Sequence, residues 1–200
     1  MTRTKIVSHR LFRLAWIPSL AWVALLAACA ISTRLPDSDR TALDRLVTLI
    51  DARLAIGEEV ARTKWNSGAA VEDPPREQQV LDSVVSRAAE FGLGEAWLRD
   101  FFRAQIEANK AVQLSLHTDW RRDSQPKFAA VADLGRDIRP RLDTLTGDML
   151  DALRAAEPVL GRRGVAAAVD DAASRREMAR KYPDAARIAL QPLLARSVSR

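Results

Sequence analysis

The residues best suited to chemistry lie on predicted helices, on faces that the apolar spacing marks as buried. Steps of three and four residues in the first helical segment join Leu46, Ile50, Arg53, Gly57, Val60 and Lys64. Arg53 and Lys64 are 11 residues apart, so both cations lie on one face, about 16 Å apart along the axis. A glycine within a helix costs about 1 kcal/mol relative to alanine, which suggests that another group approaches the backbone at Gly57. For either cation taken alone, a solvated helix face is the better explanation.

A later helical segment carries amides in the same way. Its stripe runs through Leu98, Phe102, Ile106, Asn109, Gln113 and Leu116. Asn109 and Gln113 lie one turn apart on this otherwise apolar face. A buried amide without a partner costs roughly 1–3 kcal/mol. The pair therefore either bonds to carbonyl groups of another helix or serves a ligand.

A third polar group, formed by Asp73, Arg76 and Glu77, opens the helix between these two segments. Caps and acidic residues are ordinary at that position. Together the three groups supply three cations, two carboxyl groups and two amides. The sequence shows no Ser-His or Cys-His pairing and no glycine-rich phosphate loop, and the lone His117 is better explained as structural or solvated. A helical pocket of this composition suits a small, multiply charged anion.

The elements that must position these residues are helices. From residue 38 onward the apolar spacing is helical, with no alternating strand and hairpin. Four longer helices are predicted at about 39–65, from an Asp73 cap to Gly92, at 95–122 and at 128–156. Two shorter helices are predicted within 158–200, split near Ser174 and interrupted by Pro183 and Pro192. This is an all-α bundle of about six helices.

Composition excludes several function classes. The 200 residues hold 31 Lys and Arg against 26 Asp and Glu, but four of those cations, and no acid, lie in residues 1–30. The remainder is nearly neutral, which argues against a nucleic-acid-binding body. One cysteine excludes an internal disulfide and a Cys-cluster zinc site. Two histidines leave little for a histidine metal centre, and no cofactor or metal is expected.

The N-terminus is typical of an export signal. A basic segment up to residue 13 precedes an apolar run over 14–28, the arrangement of a signal peptide. The run is short for a membrane span. Residues 26–29 resemble a bacterial lipobox ending in Cys29, whereas Ala28-Cys29-Ala30 equally fits ordinary cleavage. We therefore expect a signal peptide over 1–30 and a periplasmic or secreted body over 31–200, with a lipid anchor at Cys29 left open.

The spacing of the candidate residues resembles that of the all-helical chorismate mutases, in particular their secreted, gamma-type subclass. The resemblance covers about 38–155, through RLAIGEEVARTKW, VEDPPREQQVL and QIEANKAVQLSLHTDW. The family pattern has an Arg, a Lys 11 residues later, an Asp nine further on and an Arg three beyond that. A small polar residue and then Gln or Glu follow on the third helix. These positions are Arg53, Lys64, Asp73, Arg76, Asn109 and Gln113, with Glu77 matching an acid of some members. Residues 156–200 form a helical C-terminal extension.

The resemblance implies the [3,3] rearrangement of chorismate to prephenate, which needs no general acid, base or cofactor. By that resemblance, Arg53 and Arg76 bind substrate carboxylates with Asn109 assisting. Lys64 and Gln113 donate to the ether oxygen, and both are, with Arg53, the expected catalytic residues.

Three further roles follow from the same resemblance. Asp73 and Glu77 orient the ring hydroxyl and neighbouring cations, while Gly57 and Val60 form the pocket wall. Secreted members take a further Arg from their own fourth helix, where DIRPRLDTLTGDML places Arg139; Arg141 faces 180–200° away and is the less suitable choice.

Two other functions stay open at this stage. An isochorismate pyruvate lyase shares the fold and much of the pocket. A non-catalytic helical lipoprotein that binds a ligand outside the cytoplasm is the alternative from another class. Homodimerisation is likewise open.

Overall fold

The computed structural model describes residues 35–198, in which seven α-helices follow one another without a strand. These helices are α1 (Asp37–Ser67), α2 (Pro74–Ser86), α3 (Glu95–Arg122), α4 (Arg139–Ala156), α5 (Val165–Ser174), α6 (Glu177–Lys181) and α7 (Pro183–Val198). A 3-10 turn, Ala88–Phe91, follows α2, and a π-helical turn, Leu134–Ile138, leads into α4. The all-α prediction is therefore confirmed for the described residues. The predictions of a signal peptide over 1–30 and of a lipobox at Cys29 fall outside them.

Local signals in the sequence set the ends of the helices around the site. α1 ends at Gly68, whose φ of 70° is the left-handed conformation that glycine adopts without strain. Asp73 caps α2 by accepting a hydrogen bond from the backbone N–H of Arg76, and Pro74 occupies the first turn. The short loop between Gly68 and Asp73 thereby connects the end of α1 to the start of α2.

Helix α1 lies at the centre of the fold and packs against α3, α4 and α5. Its N-terminal half is buried in the main core through Leu43, Leu46 and Ile50. In its C-terminal half, Ile56 and Val60 instead join a small cluster with Ile138 from the turn before α4. Two charged residues of that half, Arg53 and Lys64, are also buried. The second half of α1 therefore forms one side of the site.

The prediction that the fourth helix begins near Phe128 is wrong. Residues 128–133 are not helical, and side chains of α1 bond three of their backbone polar groups instead. Asn66 bonds both the N–H and the carbonyl of Phe128, each at 2.8 Å, and the Thr63 hydroxyl donates to the carbonyl of Ala132 at 2.8 Å. Asp133 then caps the π-helical turn, so that α4 starts only at Arg139.

The C-terminal part holds three helices rather than the two predicted, one more than the expected total of about six. Pro183 is the first residue of α7, a position where its missing N–H is not needed. Pro192 lies within α7 instead of ending it. Helix α7 packs on α3, where the buried Gln105 donates to the carbonyl of Ala189 at 2.8 Å. No helix within residues 35–198 is long and apolar enough to cross a membrane.

Candidate active site

A cavity of about 130 Å³ opens between the second half of α1, the start of α2, the middle of α3 and the start of α4. All the residues predicted to bind substrate line it: Arg53, Lys64, Asp73, Arg76, Glu77, Asn109, Gln113 and Arg139. Apolar side chains complete the walls, among them Val60, Ile106 and Ile138. Residues distant in sequence thus meet around one cavity.

Arg53 is the most deeply buried cation in the cavity wall, with 5% of its surface exposed. Its Nε and Nη1 atoms are buried and have no hydrogen-bond partner in the protein. Burial lowers the pKa of Arg53 to about 10; Asp143 opposes this shift and Arg76 adds to it. An unpartnered buried guanidinium favours an anionic ligand, because a planar carboxylate can accept two of its N–H groups.

Lys64 binds the loop between Gly68 and Asp73, which follows its own helix α1. Its Nζ donates to the carbonyl of Val71 at 2.6 Å. Burial lowers the pKa of Lys64, and the negative charges of Asp73 and Glu77 oppose that change. An ammonium group has three N–H bonds, so Lys64 can hold this loop and still donate into the cavity.

The start of α2 has structural and cavity-lining roles at once. Besides the Asp73 cap, the Glu77 carboxylate accepts a hydrogen bond from the N–H of Asp73 at 3.1 Å, so the two side chains bond the first turn of α2 from both directions. Arg76 donates to Gln79 at 2.7 Å and to Asp143 at 3.1 Å. The ordinary explanation of these residues as caps is therefore correct, and the same side chains also face the cavity.

The two amides on α3 form a short series of hydrogen bonds. Asn109 Nδ2 donates to the carbonyl of Arg53 at 3.0 Å, and Gln113 Nε2 donates to Asn109 Oδ1 at 2.8 Å. Gln113 is 3% exposed, and its Oε1 has no partner in the protein.

The prediction that Gly57 forms the pocket wall is wrong, although Val60 does line the cavity. Gly57 faces Asn109: a Cβ at this position would lie 2.9 Å from Asn109 Nδ2. The close approach expected from the mid-helix glycine therefore exists, and the approaching group is a side chain of α3.

The two arginines at the start of α4 contact different groups, and only one of them lines the cavity. Arg139 lines the cavity, and its Nη2 lies 3.8 Å from Asp73 Oδ2. Arg141 donates two hydrogen bonds to Glu59, at 2.7 and 2.8 Å, and these hold the pKa of Glu59 below its ordinary value. Arg141 does not line the cavity.

Comparison with known proteins identifies the family. Residues 42–114 match the sequence profile of the family described as chorismate mutase type II. A protein of Mycolicibacterium smegmatis named secreted chorismate mutase is 35% identical over 144 residues, which are 70% of this chain and 78% of the relative. The chain belongs to the chorismate mutase family.

Solved structures of chorismate mutases have the same fold. The chorismate mutase of Burkholderia phymatum superposes with a TM-score of 0.72 at 29% identity, covering 78% of this chain and 98% of that one. That of Burkholderia thailandensis gives 0.71 at 33% identity, covering 76% and 99%. The helices that enclose the cavity lie within a fold shared with these mutases.

Two charged lining residues of this chorismate mutase family member were missed by the sequence analysis. Asp143 pairs with Arg76 and lies one turn after Arg139 on α4, a spacing that could have indicated it. Lys110 lies between Glu77, at 3.2 Å, and Glu107, at 2.8 Å. Burial lowers the pKa of Lys110, but its bonds to these two carboxylates raise it more.

The charges around the cavity are unbalanced. Among the described residues, five cations and three carboxylates line it, a net charge of +2. No histidine or cysteine is among the lining residues. His117 is buried outside the cavity lining, with Nε2 2.9 Å from the carbonyl of Ala61. Within residues 35–198, no group of three or more His, Cys, Asp or Glu side chains could hold a metal ion.

Proposed function

We propose that the protein is a chorismate mutase, an isomerase that converts chorismate to prephenate in the cavity between α1, α2, α3 and α4. The observation that carries this proposal is a cavity of net charge +2 around the unpartnered guanidinium of Arg53. Chorismate carries two carboxylates, and burying them without cations is costly. The rearrangement is unimolecular and pericyclic, so a site without a nucleophile and base is sufficient. Positioning and preorganised charge supply the catalysis.

Three arginines bind the substrate carboxylates. Arg53 offers buried N–H groups that no protein atom accepts. Arg76 is held by Asp143 at 3.1 Å, so a substrate carboxylate competes with Asp143 for this guanidinium. Arg139 approaches from the start of α4, beside Asp73, and closes the site against water. All three come from one chain, so the site needs no residue from a partner subunit.

Lys64 and Gln113 stabilise the transition state. As the carbon–oxygen bond breaks, the ether oxygen gains negative charge, and both side chains donate to it. Lys64 is held in place by Val71, and Gln113 by Asn109. Donors that are already fixed need no reorganisation when the charge develops, which is why they lower the barrier. Asp73 and Glu77 orient the ring hydroxyl at the start of α2.

The proposal is tested by incubating the purified protein with chorismate and following the loss of its ultraviolet absorbance, with identification of the product. We expect prephenate. In a parallel incubation with isochorismate, release of pyruvate, with chorismate unchanged in the first incubation, would instead make the protein a lyase. Binding of chorismate without turnover would make it a non-catalytic ligand-binding protein.

We also propose that the protein acts outside the cytoplasm, with residues 1–30 as its export signal. The naming of the M. smegmatis relative as a secreted chorismate mutase supports this. If Cys29 is lipidated, Cys29→Ser should move the exported protein from the membrane fraction to the soluble fraction. A soluble native protein that begins at Ile31 would exclude the lipid anchor.

A further inference from the structure

The direction of the hydrogen bonds between Arg53, Asn109 and Gln113 is set at one end by the backbone. The carbonyl of Arg53 can only accept, so the group of Asn109 that meets it must be the NH₂. Asn109 then presents its Oδ1 to Gln113, one turn further along α3. Because that oxygen also only accepts, the group of Gln113 that meets it must be its NH₂.

The reverse arrangement is excluded by repulsion. Rotating the Gln113 amide by 180° would place Oε1 against Asn109 Oδ1, two acceptors facing each other. Rotating Asn109 as well would place its oxygen against the Arg53 carbonyl. An acceptor on the backbone of α1 therefore determines which end of the Gln113 amide carries N–H bonds. One of these bonds goes to Asn109, and the proposed function assigns the second to the substrate in the cavity that Gln113 lines.

We propose that Asn109 is a positioning residue that fixes the Gln113 amide as a donor, and that position 57 is glycine because this arrangement needs the space. The inference rests on the proposed function, in which Gln113 donates to the ether oxygen of the substrate. It replaces the role that the family resemblance implies for Asn109, assistance in carboxylate binding.

Gly57 is the part of this arrangement that a sequence pattern alone does not explain. The N–H of residue 57 bonds the carbonyl of residue 53 in an α-helix, so Gly57 and Asn109 meet at the same acceptor. A Cβ at position 57 would lie 2.9 Å from Asn109 Nδ2 and 3.3 Å from Asn109 Cγ. The Asn109 side chain would have to move away from the Arg53 carbonyl, which would release the Gln113 amide.

The experiment is a double-mutant cycle of Gly57→Ala and Asn109→Ala, with Gly147→Ala as the matched control. Gly147 is also within a helix, and a Cβ there would meet no atom within 4 Å. Loss of a preorganised donor typically lowers kcat by about 10²–10³, so Gly57→Ala and Asn109→Ala should each lower kcat at least about tenfold. Their KM should change little, and Gly147→Ala should retain wild-type kcat. Since both substitutions act through the Gln113 amide, the kcat of the double variant should equal that of Asn109→Ala within about twofold.

Three outcomes would overturn the proposal. Wild-type kcat in Gly57→Ala would show that the space at position 57 is not needed. If Gly57→Ala lowered kcat by the same factor in the wild type and in Asn109→Ala, Gly57 would act by another route. A raised KM with unchanged kcat in Asn109→Ala would show that Asn109 contacts the substrate instead.

A second measurement tests the arrangement without using activity. The side-chain NH₂ signals of Asn109 and Gln113 can be assigned by NMR from their loss in Asn109→Ala and Gln113→Leu. They should exchange slowly with water in the wild type and in Gly147→Ala, and faster in Gly57→Ala. Rapid exchange in the wild type would refute the arrangement. A wild type that converts no chorismate would refute the proposed function, and the exchange rates would still decide the orientation.

Discussion

Replacing Arg53 by methionine should stabilise the protein in the absence of substrate and abolish its activity. The Arg53 side chain is buried without hydrogen-bond partners for Nε and Nη1, so folding removes its charge from water without full compensation. Methionine has a similar length and no charge, and it can pack against the apolar walls. Exchanging a buried charge for an apolar side chain of similar volume is often stabilising.

The magnitude follows from the pKa of this guanidinium. Burial lowers this pKa from the ordinary arginine value to about 10, which corresponds to roughly 3 kcal/mol at about 1.4 kcal/mol per pKa unit. Arg53→Met should therefore raise the free energy of unfolding by about 1–3 kcal/mol. Because the folded-state pKa is the lower one, this destabilisation is fully present below about pH 10. The destabilisation disappears as the pH rises from the folded-state pKa towards the higher pKa of arginine in the unfolded chain, so the difference in stability between wild type and variant should narrow above about pH 10.

The assay is urea unfolding followed by circular dichroism, with chorismate turnover measured on the same samples. Arg141→Met is the matched control, because Arg141 forms its ion pair with Glu59 at a partly exposed site outside the cavity. That variant should lose no more than about 1 kcal/mol and keep its activity. An Arg53→Met protein that is less stable than the wild type would refute the claim that this cation is held in the site at a cost to stability.

Three further predictions concern the other site residues. Lys64→Ala should lower kcat by about 10²–10³, and a kcat within tenfold of wild type would contradict the role. Because burial lowers the pKa of Lys64, the wild-type kcat should decrease with rising pH already below pH 10.5, the ordinary lysine pKa, as Lys64 loses its proton. Gln113→Glu should be impaired at neutral pH, where a carboxylate cannot donate, and should recover in acid; a flat pH profile would remove Gln113 from the ether oxygen. Arg139→Ala should raise KM, and Arg141→Ala should raise it much less. Mixing Arg139→Ala protein with Arg53→Ala protein should restore no activity, because each chain holds a complete site. Recovery of activity on mixing would show that the site is shared between subunits.

Much of the helical framework and the members of the candidate site could be predicted from the sequence. The apolar spacing located α1 within two residues at each end and α3 at both ends, because both helices are long and bury one continuous face. The spacing from Arg53 to Arg76 spans one helix, one loop and one cap, so a linear pattern can describe it. All the predicted substrate-binding residues accordingly line one cavity.

The remaining features depend on contacts that no local pattern records. Residues 128–133 are held out of a helix by Thr63 and Asn66, which lie more than 60 positions away. Lys110 is a charged residue on a helix, a type of residue that usually faces solvent, and only its ion pair with Glu77 of α2 shows that it lies at the cavity. The glycine at position 57 indicated a close approach, but not that Asn109 makes it.

The most direct test of the central claim is proton NMR of chorismate incubated with the purified protein. The account predicts that chorismate signals are replaced by those of prephenate in a one-to-one ratio, and that Lys64→Ala at the same concentration leaves most of the substrate unchanged over the same time. Unchanged chorismate with the wild-type protein, or conversion at the same rate by Lys64→Ala, would contradict it.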